Sequence, residues 1–296
     1  MSDLENFRAS FYPPPWLASH AEVVARDIHL VYAIKPGQVY STQPDRFVVK
    51  IITDAASEEA SIYDKLHGLG LASPNHILPC TIVRHDVQRP FIIMPCLTDL
   101  MAADQWKWDL QFLVHTFRQM VEAVELLHSH NIAHMDVAVS NFVVAMEYHI
   151  PLHDGVEVGK IHIIDFGASH QFELGPGRQP AAELPPTQAR KPQGIKRLDP
   201  FSWDMYCVGD TFQFLLRNVY NKRKQPHPWI LRRYAAWLIG DEKGCTAVCH
   251  RRPSARRALL VITILGWIVD TIGVFKRMVN FSRNATPSDS PAPHPP

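Results

Sequence analysis

The chain has 296 residues, 46% of them apolar and 20% charged, enough to bury a large core in one or two domains and too apolar for a disordered protein. Lys and Arg total 30 against 29 Asp and Glu, a formal net charge of +1, so no global field favours nucleic acid and no nucleic-acid partner is expected. Five cysteines (80, 96, 207, 245 and 249), an odd number, read as free thiols in a reducing cytosol. Cys245-x-x-x-Cys249-His250 has no second ligand pair at zinc spacing. The N-terminus carries acids and prolines where a signal peptide needs a basic start and an apolar run, so a cytoplasmic domain is expected.

Residues 1–20 are polar and contain Pro13-Pro14-Pro15, which predicts a loose arm. Ile28–Ile34 and Phe47–Ile52 are β-like runs separated by a turn-rich stretch from Pro36 to Asp45. Ser57 followed by Glu58 and Glu59 predicts a helix start, and Gly68 and Gly70 stop that helix after about Leu66. Residues 77–83 and 91–97 are further strand candidates. Apolar residues at 112, 113, 117, 120, 121, 124 and 127 predict an amphipathic helix over Phe112–His130. Phe142–Ala145 and Ile161–Ile164 are short strands, and 173–200 has no period. Helical spacing returns over Trp203–Arg217, over Trp229–Ile239 and from Pro253 onward.

The most informative run is His134-Met135-Asp136-Val137-Ala138-Val139-Ser140-Asn141, followed after a short apolar strand by Asp165-Phe166-Gly167. An Asp and an Asn five apart, then an Asp closing a strand, suit a metal-bound triphosphate. The first can orient a hydroxyl, and the other two can hold Mg²⁺ against phosphates. Upstream, Phe47-Val48-Val49-Lys50 is an apolar strand ending in Lys, and Phe91 to Leu97 is a second apolar run.

These motifs, in this order, resemble those of eukaryotic protein kinases over residues ~28–262. The resemblance implies an α+β, two-lobed protein kinase-like fold with a small β-rich N-lobe and a larger helical C-lobe. It divides the chain into an arm (1–20), an N-lobe (21–97), a C-lobe (98–262) and an apolar extension with a Pro-rich disordered tail (263–296). It implies ATP and Mg²⁺ as cofactors and a protein substrate phosphorylated on Ser or Thr. Asp136 would be the catalytic residue, and Asn141 and Asp165 the metal ligands. Lys50 would bind the α- and β-phosphates and pair with a helix Glu, Glu59 or alternatively Glu58. Met94 would stand behind the adenine, with Cys96 or Leu97 donating a backbone N–H to the base, because Pro95 has none. Asp204, in Trp203-Asp204-Met205, would bond backbone in the catalytic loop. Arg252-Pro253 resembles a late signature whose Arg pairs with a Glu; here Gln193 stands in that place.

Four departures accompany the resemblance. No Gly-x-Gly-x-x-Gly precedes Lys50, Met135 replaces an Arg, Ala138 replaces a Lys near the γ-phosphate, and Gln193 replaces the Glu. A donor to transferring charge is typically worth ~10²–10³ in rate, so a pseudokinase that binds nucleotide or partners and acts as a scaffold is the alternative. Finally, 258–275 carries Asp270 as its only charge and has basic residues on both sides. As a helix it would measure ~27 Å. It reads either as a membrane contact or anchor, or as a last helix packed on the domain.

Overall fold

The computed structural model describes residues 8–70, 75–85, 87–102, 108–241 and 245–284. An N-terminal antiparallel sheet precedes a C-terminal helical bundle, an α+β architecture. Two short helices, α1 (Pro15–Ala18) and α2 (Ala21–Ala25), lead into β1 (Leu30–Lys35), β2 (Val39–Thr42), β3 (Phe47–Ile51), helix α3 (Glu59–His67), β4 (Thr81–Val83) and β5 (Phe91–Pro95). The five strands pair in the order β1-β2-β3-β5-β4. Two findings differ from the sequence expectations. The described part of the arm is packed: Leu17 is fully buried, and Trp16 lies against Phe91 with ring centroids 6.3 Å apart. The turn-rich stretch contains strand β2, whose Tyr40 and Ser41 are buried and whose register is held by pairing on both sides. Its turn residues end the strand but do not exclude it.

The C-terminal part comprises β6 (Thr98–Asp99), α4 (Leu110–Ser129), β7 (Ile132–Ala133), β8 (Phe142–Val144), β9 (Ile161–Ile163), β10 (His170–Gln171), β11 (Ala182–Glu183), β12 (Arg197–Leu198), α5 (Pro200–Lys222), α6 (Trp229–Ile239) and α7 (Ala255–Asn284). Asp109 caps α4 through Phe112 N–H, and Asp199 caps α5 through the N–H groups of Phe201 and Ser202. The interior of α4, including Leu113, Phe117, Met120, Val124 and Leu127, is buried, and Phe117 stacks on Phe212 of α5 at 3.8 Å. The irregular 173–200 stretch holds only the two-residue pair β11–β12. Helix α7 runs unbroken across residues 262–263, where the C-lobe was expected to give way to the extension and Pro-rich tail of 263–296; residues 285–296 of that stretch lie outside the described residues.

The cysteines also differ from the expected set of five thiols. Cys245 and Cys249 are joined as a disulfide, with Cα atoms 5.4 Å apart, while Cys80, Cys96 and Cys207 are free. The loop is drawn together by Asp199, whose N–H donates to Cys245 O at 2.7 Å and whose carboxylate accepts from Cys249 N–H at 2.8 Å.

Candidate active site

The period of two along β3 sends Val49 and Ile51 into the core beneath the sheet and Lys50 to the other face, toward α3. On α3, Glu59, Ile62, Tyr63 and Leu66 form the buried stripe, so the Glu59 carboxylate points inward. Lys50 Nζ donates to Glu59 Oε1 and to Asp165 Oδ1, each at 2.6 Å. Glu58, the alternative partner, turns instead to His170 Nδ1 at 2.5 Å and to the Gln171 N–H at 2.9 Å. Burial works against the Lys50 ammonium, but the carboxylates of Glu59 and Asp165 outweigh it and raise its pKa above the usual lysine value. For Asp165 burial is likewise outweighed, here by Lys50, and the carboxyl is held below its ordinary range. For Glu59 burial prevails over Lys50 and the pKa is raised. The ammonium is held at equal distance by both carboxylates, and the opposite directions of their shifts follow burial: Glu59 is nearly enclosed, whereas Asp165 is more exposed.

Asp165 itself adopts a left-handed backbone, φ 65°, at the end of the strand β9 run. Phe166 is fully buried against Tyr63, centroids 4.8 Å apart, which fixes the direction of the turn. Gly167 fits a close approach: a Cβ there would lie 3.2 Å from Asp165 Oδ1 and 3.4 Å from Lys50 Nζ, so a larger residue would press on the Asp165 carboxylate.

The 134–141 loop is anchored from below by Asp204 of α5, which has no exposure. Its carboxylate accepts from His134 N–H at 2.8 Å, Met135 N–H at 2.7 Å and His128 Nε2 at 2.9 Å. Met135 takes φ 62°, a conformation costly for a residue with a side chain, and its carbonyl accepts from Trp203 Nε1 at 3.3 Å. This clamp holds the strained backbone and sets Asp136 at the surface of the cleft. Asn141 is buried and donates Nδ2 to Asp136 O at 2.8 Å, which fixes its orientation.

Lys50, Glu59, Asp136 and Asp165 line one cleft of about 280 Å³, together with Lys35, Gln38 and Gly167. Its outer wall includes Pro185 and Pro186. Gln188, beyond them, donates its N–H to Asp136 Oδ1 at 2.5 Å and its Nε2 to Asp136 Oδ2 at 3.2 Å. Ser140 Oγ in turn donates to Gln188 Oε1 at 2.9 Å. Sequence reasoning missed Gln188, since it lies in the stretch without period and matches no motif.

The second apolar run places Met94 inside the core, nearly buried, on β5. The Cys96 N–H is not free to reach a ligand: it donates to Arg46 O at 2.9 Å. The physical reason is Thr42, whose hydroxyl binds Pro44 O and Phe47 O and accepts from the N–H groups of Arg46 and Phe47, folding the 42–47 turn against 96. Of the two N–H donors considered, Leu97 remains. The β1–β2 connection is a tight turn, with Gln38 N–H donating to Lys35 O at 3.0 Å, and Gly37 N–H is engaged by Ser10 O at 2.8 Å. Arg252 donates to Ile239 O at 2.7 Å and to Ser202 Oγ at 2.9 Å, while Gln193 is exposed.

Comparison with known proteins is consistent with this layout at a distance. No family model matches the chain. Over 196 residues, 62% of this chain, the sequence is 24% identical to a candidate serine/threonine-protein kinase of Acanthamoeba polyphaga mimivirus. The match spans 65% of that protein's length, just under two-thirds. This divergent similarity links the chain to the protein kinase superfamily without assigning it to a particular family within it.

Proposed function

We propose that this protein is a divergent ATP- and Mg²⁺-dependent protein kinase of two-lobed fold, transferring the γ-phosphate to a Ser or Thr hydroxyl of a protein substrate. The lobes would divide near residue 97, between the sheet and the helical bundle. The observation that carries the reading is the convergence of Lys50, Glu59, Asp136 and Asp165 on one cleft. Lys50, held by two carboxylates, would meet the α- and β-phosphates as a fixed cation. Asn141 and Asp165 offer one amide and one carboxylate oxygen, a donor set that suits Mg²⁺, which takes few protein ligands and completes its shell with phosphate and water. When bound, the metal supplies charge neutralisation between the phosphates. The adenine would lie near Met94, with Leu97 N–H as its backbone donor.

Asp136 would receive the proton of the substrate hydroxyl as its oxygen bonds to the γ-phosphorus. The bond from that phosphorus to the bridging oxygen breaks, and ADP leaves with the electron pair. The pseudokinase reading, a nucleotide-binding scaffold, is favoured by three specific features. Gln188 occupies both oxygens of Asp136, Ala138 supplies no cation, and the β1–β2 turn has no glycine-rich loop. Phosphate incorporation from labelled Mg-ATP into a generic peptide separates the two. Transfer that disappears in Asp136→Asn is the expected result. Absence of transfer in pure wild type, with nucleotide binding retained, would leave the scaffold.

A further inference from the structure

Helix α7 has two faces of different character. Its inner face packs on α4: Ala258 and Ile262 are buried, and a Cβ at Gly266 would lie 3.6 Å from Val114. Asp270 belongs to this side, accepting from Gln111 Nε2 at 2.7 Å and lying 3.5 Å from His115 Nε2. The outer face carries Leu260, Ile264, Trp267, Ile268, Ile272 and Phe275, each between 42% and 67% exposed. Their spacing draws one continuous stripe of ~22 Å along the helix. Exposed Arg256 and Arg257 precede it, and Lys276 and Arg277 follow it in sequence.

We propose that this stripe beds into the headgroup–acyl boundary of a membrane rich in anionic lipid, with α7 parallel to the surface and the rest of the domain on the aqueous side. Several observations favour this occupant. An apolar stripe of this length with aromatic side chains and basic ends matches an interfacial helix. The only acid of the segment is engaged on the inner face, so nothing on the outer face repels phosphate or serine headgroups. The segment 255–275 is also long and apolar enough to cross a bilayer. Crossing, however, would detach Asp270 from Gln111 and uncover the side of α4 on which α7 lies. Pairing with a second copy of the chain in parallel is disfavoured by charge, since it would bring exposed Arg256 and Arg257 against their own counterparts.

The test is sedimentation of the full-length protein with vesicles of pure phosphatidylcholine and with vesicles containing about one-third phosphatidylserine. The proposal expects binding to the second alone, lost at high salt and reversed by alkaline carbonate. Ile264→Glu with Trp267→Glu should weaken it at least about tenfold, and Arg256→Gln and Arg257→Gln by ~5-fold each. Both acidic replacements fall at exposed positions, and the salt dependence of the wild type tests the idea independently of any variant. Protein that resists carbonate extraction would indicate a spanning helix and overturn the proposal. So would failure to bind phosphatidylserine vesicles, including the case of a dimer in solution that Trp267→Glu dissociates. None of these readouts depends on phosphoryl transfer.

Discussion

Both carboxylate oxygens of Asp136 accept hydrogen bonds from Gln188, so in the proposed reaction a substrate hydroxyl would compete with that residue for the carboxylate. The side-chain bond alone is worth about 1 kcal/mol, so Gln188→Ala should raise kcat/KM by up to ~5-fold in a peptide phosphorylation assay. The backbone bond survives this change, which bounds the gain. Ala138→Lys should also raise kcat, by supplying the cation that stabilises charge in the transferring group. An unchanged or lower rate in both variants would mean that Asp136 is not the residue on which transfer depends. At this scale the sequence was legible at two expected contacts, where residue type and order coincide: the pairing of Lys50 with Glu59 and the bonds of Asp204 to the backbone of the 134–141 loop. It was not legible at Cys96, whose N–H is taken by a turn organised around the Thr42 hydroxyl, nor at Gln188, which reaches Asp136 only through tertiary folding of an aperiodic segment.

The element that holds the site together is α5. It presents Asp204 to three donors in a fully buried position, and two of these are backbone N–H groups of the 134–141 loop. Asp204→Ala leaves those donors without an acceptor and removes the clamp on the left-handed Met135 backbone. It should cost about 3–5 kcal/mol in urea unfolding. A loss below ~1 kcal/mol would mean that the loop is held by other contacts. The 182–192 segment behaves differently. Thr187 Oγ already donates to Ala189 O at 2.8 Å, and Met135 is buried and carries no charge, so in the proposed kinase it would offer no cation to a phosphorylated Thr187. Thr187→Ala should therefore leave peptide phosphorylation within about twofold, whereas a tenfold loss would assign that hydroxyl a regulatory role. The long helices were legible because their apolar period spans several turns, as in α4 and α6. Strand β2 was hidden by its flanking turn residues and its four-residue length, and the packing of the arm by the shortness of the apolar run Trp16-Leu17-Ala18 between three prolines and Ser19-His20.

Across the whole molecule, the acid side of the stability curve follows from a buried imidazole. His162 lies in the middle of β9 with 1% exposure, its Nδ1 hydrogen-bonded to Ile77 O at 3.2 Å. Burial pushes its pKa down to about 4. Between the ordinary histidine value and about 4, the unfolded chain binds a proton that the native state does not, so stability falls as pH drops through that window, by about 3 kcal/mol in all. Below it Asp165 and Glu122 add to the loss, since burial raises both but is outweighed, by Lys50 in one case and by His76 and Arg118 in the other. Urea midpoints measured from neutral pH down to about 4.5 should show the fall, and His162→Gln, which keeps a donor for Ile77 O, should flatten it. The same sheet-and-bundle arrangement brings Lys50 and Asp165 together across 115 residues of sequence and leaves both lining the cleft. Thermal unfolding with and without ATP and Mg²⁺ tests the nucleotide-binding claim most directly. Saturating nucleotide at a hundredfold over Kd should stabilise the fold by ~2.7 kcal/mol, only in the presence of Mg²⁺, and not in Asp165→Asn; an unfolding temperature unmoved by millimolar ATP, with or without the metal, would contradict the account.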